Sequence, residues 1–187
     1  KTFLAKASEK QLSEFISFIG KSVITKKDSD ILKDEKFSWR ISRVAGLWEL
    51  LLKSKANSPA LKEFGAWINA DNDVFKVGWL ADMVARTLDA TNGALVWDYG
   101  LQESIEKLAL ETPQVTLAIL KKYFLWRIRD RENLFPIQDD KEWYNAFEIL
   151  YGSTDKEIRS ETHELISLLI EKGSRSFWSL EEIVGVH

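Results

Sequence analysis

The sequence predicts an all-α domain of about eight helices arranged as antiparallel hairpins, and three observations carry that reading. The first is the stretch from Thr112 to Arg131. Thr112 can cap a helix and Pro113 suits its first turn, where a missing N–H costs nothing. Val115, Leu117, Ala118, Ile119, Leu120, Tyr123, Phe124, Leu125, Trp126 and Ile128 then leave almost no polar face. A helix apolar nearly all round is enclosed by other helices. Lys121, Lys122, Arg127 and Arg129 gather in its second half, where cations suit the helix dipole. They also break the apolar run short of the roughly 20 residues needed to cross a bilayer. The second observation is that apolar residues recur at helical spacing between polar caps and glycine stops along the rest of the chain. The third is the aromatic content, 8 Trp and 10 Phe, which supplies a helical core. Each Trp is expected in that core; the alternative is that one or two sit exposed as partner anchors.

Taken in order, Ser8 and Gln11 form a capping box for a helix over 9–23 bearing Leu12, Phe15, Ile16, Ile19 and Val23. A charged surface loop follows. Ser38 opens a helix with Ile41, Val44, Leu47, Trp48, Leu51 and Leu52 on one stripe. Ser58-Pro59 starts a short helix with Leu61, Phe64, Trp67 and Ile68, and Gly65 inside it marks a close helix crossing. Asp71 or Asp73 caps the next, which carries Val77, Leu80, Ala81, Val84 and Leu88 and stops at Asn92-Gly93. The loop 93–100 holds Leu95, Val96, Trp97 and Tyr99, so it should tuck against the domain; a lone strand there would make no sheet. A helix from Leu101 ends near Glu111, before Pro113. After Arg131, Leu134-Phe135-Pro136 is a turn with an apolar plug. Asp139 or Asp140 opens a helix with Trp143, Ala146, Phe147 and Leu150. Ser153, Thr154 and Asp155 cap the last long helix, apolar almost all round from Leu165 to Ile170, which Gly173 ends. Phe177, Trp178, Leu180, Ile183 and Val184 make a short closing helix, capped by Ser176 or Ser179.

With 187 residues the chain suits one domain and buries about 70% of its unfolded surface. Helices occupy 1–93, and helix pairs 101–187. Hydrophobic residues at 45% and charged ones at 29% describe a globular protein rather than a disordered one. The absence of Cys excludes disulfides, thiolate nucleophiles and Cys-ligated metals, and fits a cytoplasmic location. KTFLAKASEK has no apolar core of signal-peptide length, and the chain begins without Met, which we read as the cut of a segment from a larger protein. Charge alternates in blocks: residues 1–64 carry 13 basic and 8 acidic residues, 121–131 carry 5 and 1, and 132–171 carry 3 and 10. Such blocks favour neighbours of opposite sign.

The C-terminal half repeats itself. Helices at 101–111 and after Thr112 form one pair, and those at 140–151 and after Ser153 form a second. Thr112 and Ser153 lie 41 residues apart, within the period of about 40–47 of HEAT and armadillo repeats. Over residues 101–172 the chain resembles HEAT-like helical-hairpin arrays. That resemblance implies an α-solenoid whose usual role is to bind protein partners. The alternative is an irregular helical array. The chain also looks like a helical segment of a larger multidomain protein, such as the helical region of a bacterial NTPase.

The expected function is therefore a non-catalytic scaffold or protein-interaction module, a regulatory or structural segment with a protein partner and no cofactor. A second reading takes Lys121, Lys122, Arg127, Arg129 and Arg131, interleaved with Tyr123, Phe124 and Trp126, as a nucleic-acid patch. Pairing of those cations with the acidic 139–164 region is simpler, given a pI of about 5.6. A third is a helical enzyme whose residues no motif names. His163 has no carboxylate or second His at helical ligand spacing, and His187 stands at the terminus. Asn69, Asp71 and Asp73 imitate an EF-hand start, but Val74 and Leu80 occupy positions that need Gly and Glu, so capping explains them. No glycine-rich phosphate loop exists, and Glu161-Glu164 and Glu181-Glu182 lack an acid–base partner.

Overall fold

The computed structural model describes residues 6–21, 38–71, 74–130, 141–174, 177–178 and 180. Among these every regular element is helical: α1 (Glu9–Ile19), α2 (Ser38–Ser54), a 3-10 helix (Pro59–Trp67), α3 (Val77–Ala90), α4 (Tyr99–Glu111), α5 (Pro113–Asp130), α6 (Lys141–Tyr151) and α7 (Lys156–Glu171). Local chemistry accounts for many of the ends. The Ser8 hydroxyl accepts from the Gln11 N–H while the Gln11 side chain accepts from the Ser8 N–H, the reciprocal capping box. Asp155 accepts from the amides of Glu157 and Ile158 at the start of α7. Asn92 and Gly93, with φ of 54° and 91°, turn the chain out of α3, and Gly93 at its close approach cannot carry a side chain: a Cβ there would lie 2.5 Å from the Lys122 carbonyl oxygen.

Several boundaries depart from the sequence expectation. The segment after Ser58 is a 3-10 helix, and Leu61, Phe64 and Trp67 explain it: spaced by threes, they eclipse into one buried row only at three residues per turn. Lys76, not Asp71 or Asp73, occupies the N-cap of α3; Asp71 instead donates its N–H to the Asn69 side chain. Thr112 does not cap α5 with its side chain. Its hydroxyl donates to the Leu108 carbonyl and meets Thr116, closing the end of α4. Val23, the charged loop 25–36, the 134–136 plug, the Asp139 and Asp140 caps, Ser176, Ser179 and Ile183 onward lie outside the described residues.

The helices pack in two connected aromatic centres. In the first, Trp48 of α2 stacks on Phe64 at 4.7 Å and meets Trp67, Phe75 and Trp79 edge-on. Its buried indole N–H donates to the Thr87 hydroxyl at 2.9 Å, and that of Trp67 donates to the Ile16 carbonyl at 2.7 Å, so neither polar group is stranded. In the second, Tyr123 stacks on Trp143 at 5.4 Å, and Phe124, Phe147 and Phe177 complete the cluster. Leu80, Val84, Leu88, Leu101, Ile105 and Leu108 are all fully buried members of the same continuous core.

α5 packs against α3, α4 and α7, α4 packs against α6, and α6 against α7. The fourth side of α5 stays open, with Ala118 and Leu125 exposed, so the helix is enclosed on three sides rather than all round. α7 buries Ile158, Thr162, Leu165, Ile166 and Leu169 as a one-sided stripe, with Leu168 and Ile170 half-buried. No helix among the described residues is long and apolar enough to cross a membrane. Because Leu165 is buried, Leu165→Ala is expected to lower the unfolding free energy by about 2–5 kcal/mol through the cavity it leaves. Chemical denaturation measures this, and a loss under about 1 kcal/mol contradicts the packing of α7.

Candidate functional site: an exposed aromatic loop

The connection between α3 and α4 is short and heavily constrained. Ala94 and Leu95 are buried, as a loop tucked against the domain requires. The Val96 N–H donates to the Lys62 carbonyl in the 3-10 helix at 2.9 Å. A Cβ on Gly65 would stand on the Val96 carbonyl oxygen, and one on Gly100 would stand on the Ile68 carbonyl oxygen. Backbone therefore lies directly against backbone at both ends of the loop, which only glycine permits. The close approach expected at Gly65 exists, but its partner is this loop rather than a crossing helix.

Asp98 supplies the third anchor. The Tyr123 hydroxyl donates to its Oδ2 at 2.5 Å, and Arg127 Nη1 donates to the Tyr123 oxygen at 2.5 Å and reaches Asp98 Oδ2 at 3.4 Å. The three side chains close a triangle that ties the loop to α5. Burial, followed by the charge of Asp98, pushes the Tyr123 hydroxyl well above the usual tyrosine value of 10.0.

Held in this way, the loop turns its aromatics outward. Val96, Trp97 and Tyr99 are exposed, with Trp97 at 53% and Tyr99 at 64% of their full surface. The expectation of a loop tucked against the domain holds for Ala94 and Leu95 and is corrected for Val96, Trp97 and Tyr99, which face out while Asp98 bonds to α5. Trp97 also sits at φ 62°. A left-handed backbone is costly for a bulky residue and persists only where the surrounding structure holds it. Its indole N–H donates to Glu63 at 3.2 Å, Glu63 accepts from the Ser13 hydroxyl at 2.8 Å, and the Lys21 ammonium lies 3.4 Å above the ring.

Known proteins offer no guide. The chain matches no family model, no curated protein and no solved structure.

The cations singled out in the sequence do not all converge on one site. Lys121 pairs with Glu161 of α7 at 2.6 Å, inside the acidic 139–164 region. Lys122 pairs with Asp89 of α3, and Arg127 belongs to the Asp98 triangle. Arg129 donates to the Asn92 carbonyl at 3.3 Å. Arg131 lies outside the described residues. Lys122 and Arg129 line a shallow cleft of about 230 Å³ with Asn92, Leu125 and Trp126. His163 is half-buried on α7, and among the described residues no three His, Asp or Glu side chains gather as metal ligands. Sequence reasoning missed the outward loop because burial logic sends large aromatics inside, whereas the contacts that turn Trp97 outward come from Gly65, Ile68 and Tyr123, distant in sequence.

The raised pKa has a sign that can be checked. A folded-state tyrosine that holds its proton more tightly than the unfolded chain contributes stability that is fully present below pH 10.0 and lost as pH rises beyond it. Unfolding free energy should fall above about pH 10, and Tyr123→Phe should flatten that alkaline slope. An unchanged slope in the variant contradicts the buried triangle.

Proposed function

We propose that this chain is a non-catalytic helical scaffold that docks a protein partner on the loop presenting Val96, Trp97 and Tyr99. The single observation behind the proposal is Trp97, whose indole is more than half exposed on a left-handed backbone in a loop fixed at three points. A Trp that satisfies no core and still carries backbone strain is suited to be the rigid anchor of an interface. Rigidity lowers the entropy that binding must overcome. The contacts of α4 with α6 and of α5 with α7 support a HEAT-like stacking of the two C-terminal hairpins, since successive repeats meet in that manner. The absence of Cys supports a reducing compartment such as the cytoplasm.

Two variants test the proposal. Trp97→Gly removes the strained side chain, and should leave stability within about 1 kcal/mol of the parent or raise it. A photo-crosslinking residue placed at position 99 should give a discrete protein adduct in the source organism, lost when Trp97→Gly is added, whereas the same residue at exposed Ala118 should give none. Equal labelling at the two positions, or an adduct that survives Trp97→Gly, contradicts the docking loop.

A further inference from the structure

The surroundings of the exposed loop define the chemistry of what it takes. The face of the Trp97 ring already holds an ammonium group, that of Lys21 at 3.4 Å from the ring centroid. Glu63 accepts from the indole N–H, which adds negative charge at the ring's edge. A protonated amine over an indole is attracted by the ring quadrupole, with the carboxylate reinforcing it.

α4, which begins two residues after Trp97, carries a stripe of its own. Tyr99, Glu103, Glu106 and Leu110 follow at i, i+4, i+7 and i+11, one face of the helix. Tyr99, Glu103 and Leu110 are exposed, and Tyr99 and Leu110 are each 64% so. Glu103, one turn along α4, and more weakly Glu142 of α6 push the Tyr99 hydroxyl above its ordinary value of 10.0. Glu142 accepts from Gln102, and Glu106 from Asn145, so both carboxylates are held at the α4–α6 seam by neutral amides that leave their charge uncancelled by those contacts. An aromatic end, acidic middle and aliphatic far end complement a segment that alternates cationic and apolar side chains.

We infer that the stripe from Trp97 to Leu110 binds a lysine- or arginine-bearing amphipathic segment of another protein, one cation of which replaces Lys21 over the Trp97 ring. This rests on the docking reading above and names its partner class. Lys21 is then an internal stand-in for the partner's cation, and its removal frees the ring.

The test uses the full chain and a short amphipathic lysine–leucine peptide, followed by calorimetry and Trp fluorescence. The peptide should bind, weakening with salt, while its glutamate–leucine counterpart should not. Trp97→Gly should weaken binding by about tenfold or more. Glu103→Gln should weaken it by about threefold, and Lys21→Ala should tighten it by a similar factor. No binding of the lysine peptide, or binding that neither Trp97→Gly nor Glu103→Gln changes, overturns the inference. A partner captured through position 99 whose contact segment lacks lysine and arginine overturns it too, while leaving the docking loop itself standing.

Discussion

Backbone contact at two glycines governs the middle of this molecule. Where the Val96 carbonyl meets Gly65 and the Ile68 carbonyl meets Gly100, there is no space for a single methyl group. Those contacts fix the path of the chain between α3 and α4, and the path decides which side chains can turn inward. Leu95 falls into the core and Asp98 falls beside Tyr123 and Arg127. Val96, Trp97 and Tyr99 are left at the surface as a consequence. Trp97, with its left-handed φ, lies between Val96, bonded to Lys62, and Asp98, bonded to Tyr123.

The helices around this point supply the rigidity that the loop lacks of its own. The 3-10 helix that faces the loop has six buried residues, and its Trp67 is bonded into α1. α5, on the other side, is gripped by α3, α4 and α7, and its ion pairs run outward to two of them. Exposed pairs of this kind contribute little to stability, about 0–1 kcal/mol each. Lys121–Glu161 and Lys122–Asp89 therefore serve to orient α5 more than to hold it. The aromatic clusters at Trp48 and Phe124 provide the dominant attraction, through area removed from water and edge-to-face ring geometry.

What was legible in the sequence was local. The Ser8–Gln11 capping box, the Asp155 cap and the Asn92-Gly93 and Gly173 ends each depend on residues within one turn of one another. The helical class and the burial of Tyr123, Phe124, Trp143 and Phe147 follow from spacing alone. The departures involve competition or distance. Thr112 can accept or donate, and the Leu108 carbonyl, which already accepts the Thr112 N–H, also takes its hydroxyl. Leu61, Phe64 and Trp67 fit both helical periods, and tertiary burial selected the tighter one. The outward turn of Trp97 was not legible, because it depends on Gly65, Ile68 and Tyr123, none of them sequence neighbours. Arg127 likewise read as a helix-end cation, although its partner Asp98 lies 29 residues away.

Amide hydrogen exchange of Val96 tests most directly whether the loop is clamped despite its exposed side chains. Its N–H donates to Lys62 from a segment whose side chains face water. A clamped loop opens only with the surrounding core, so this amide should exchange about as slowly as those in the middle of α3. Exchange at the rate of an unprotected surface loop would contradict the account.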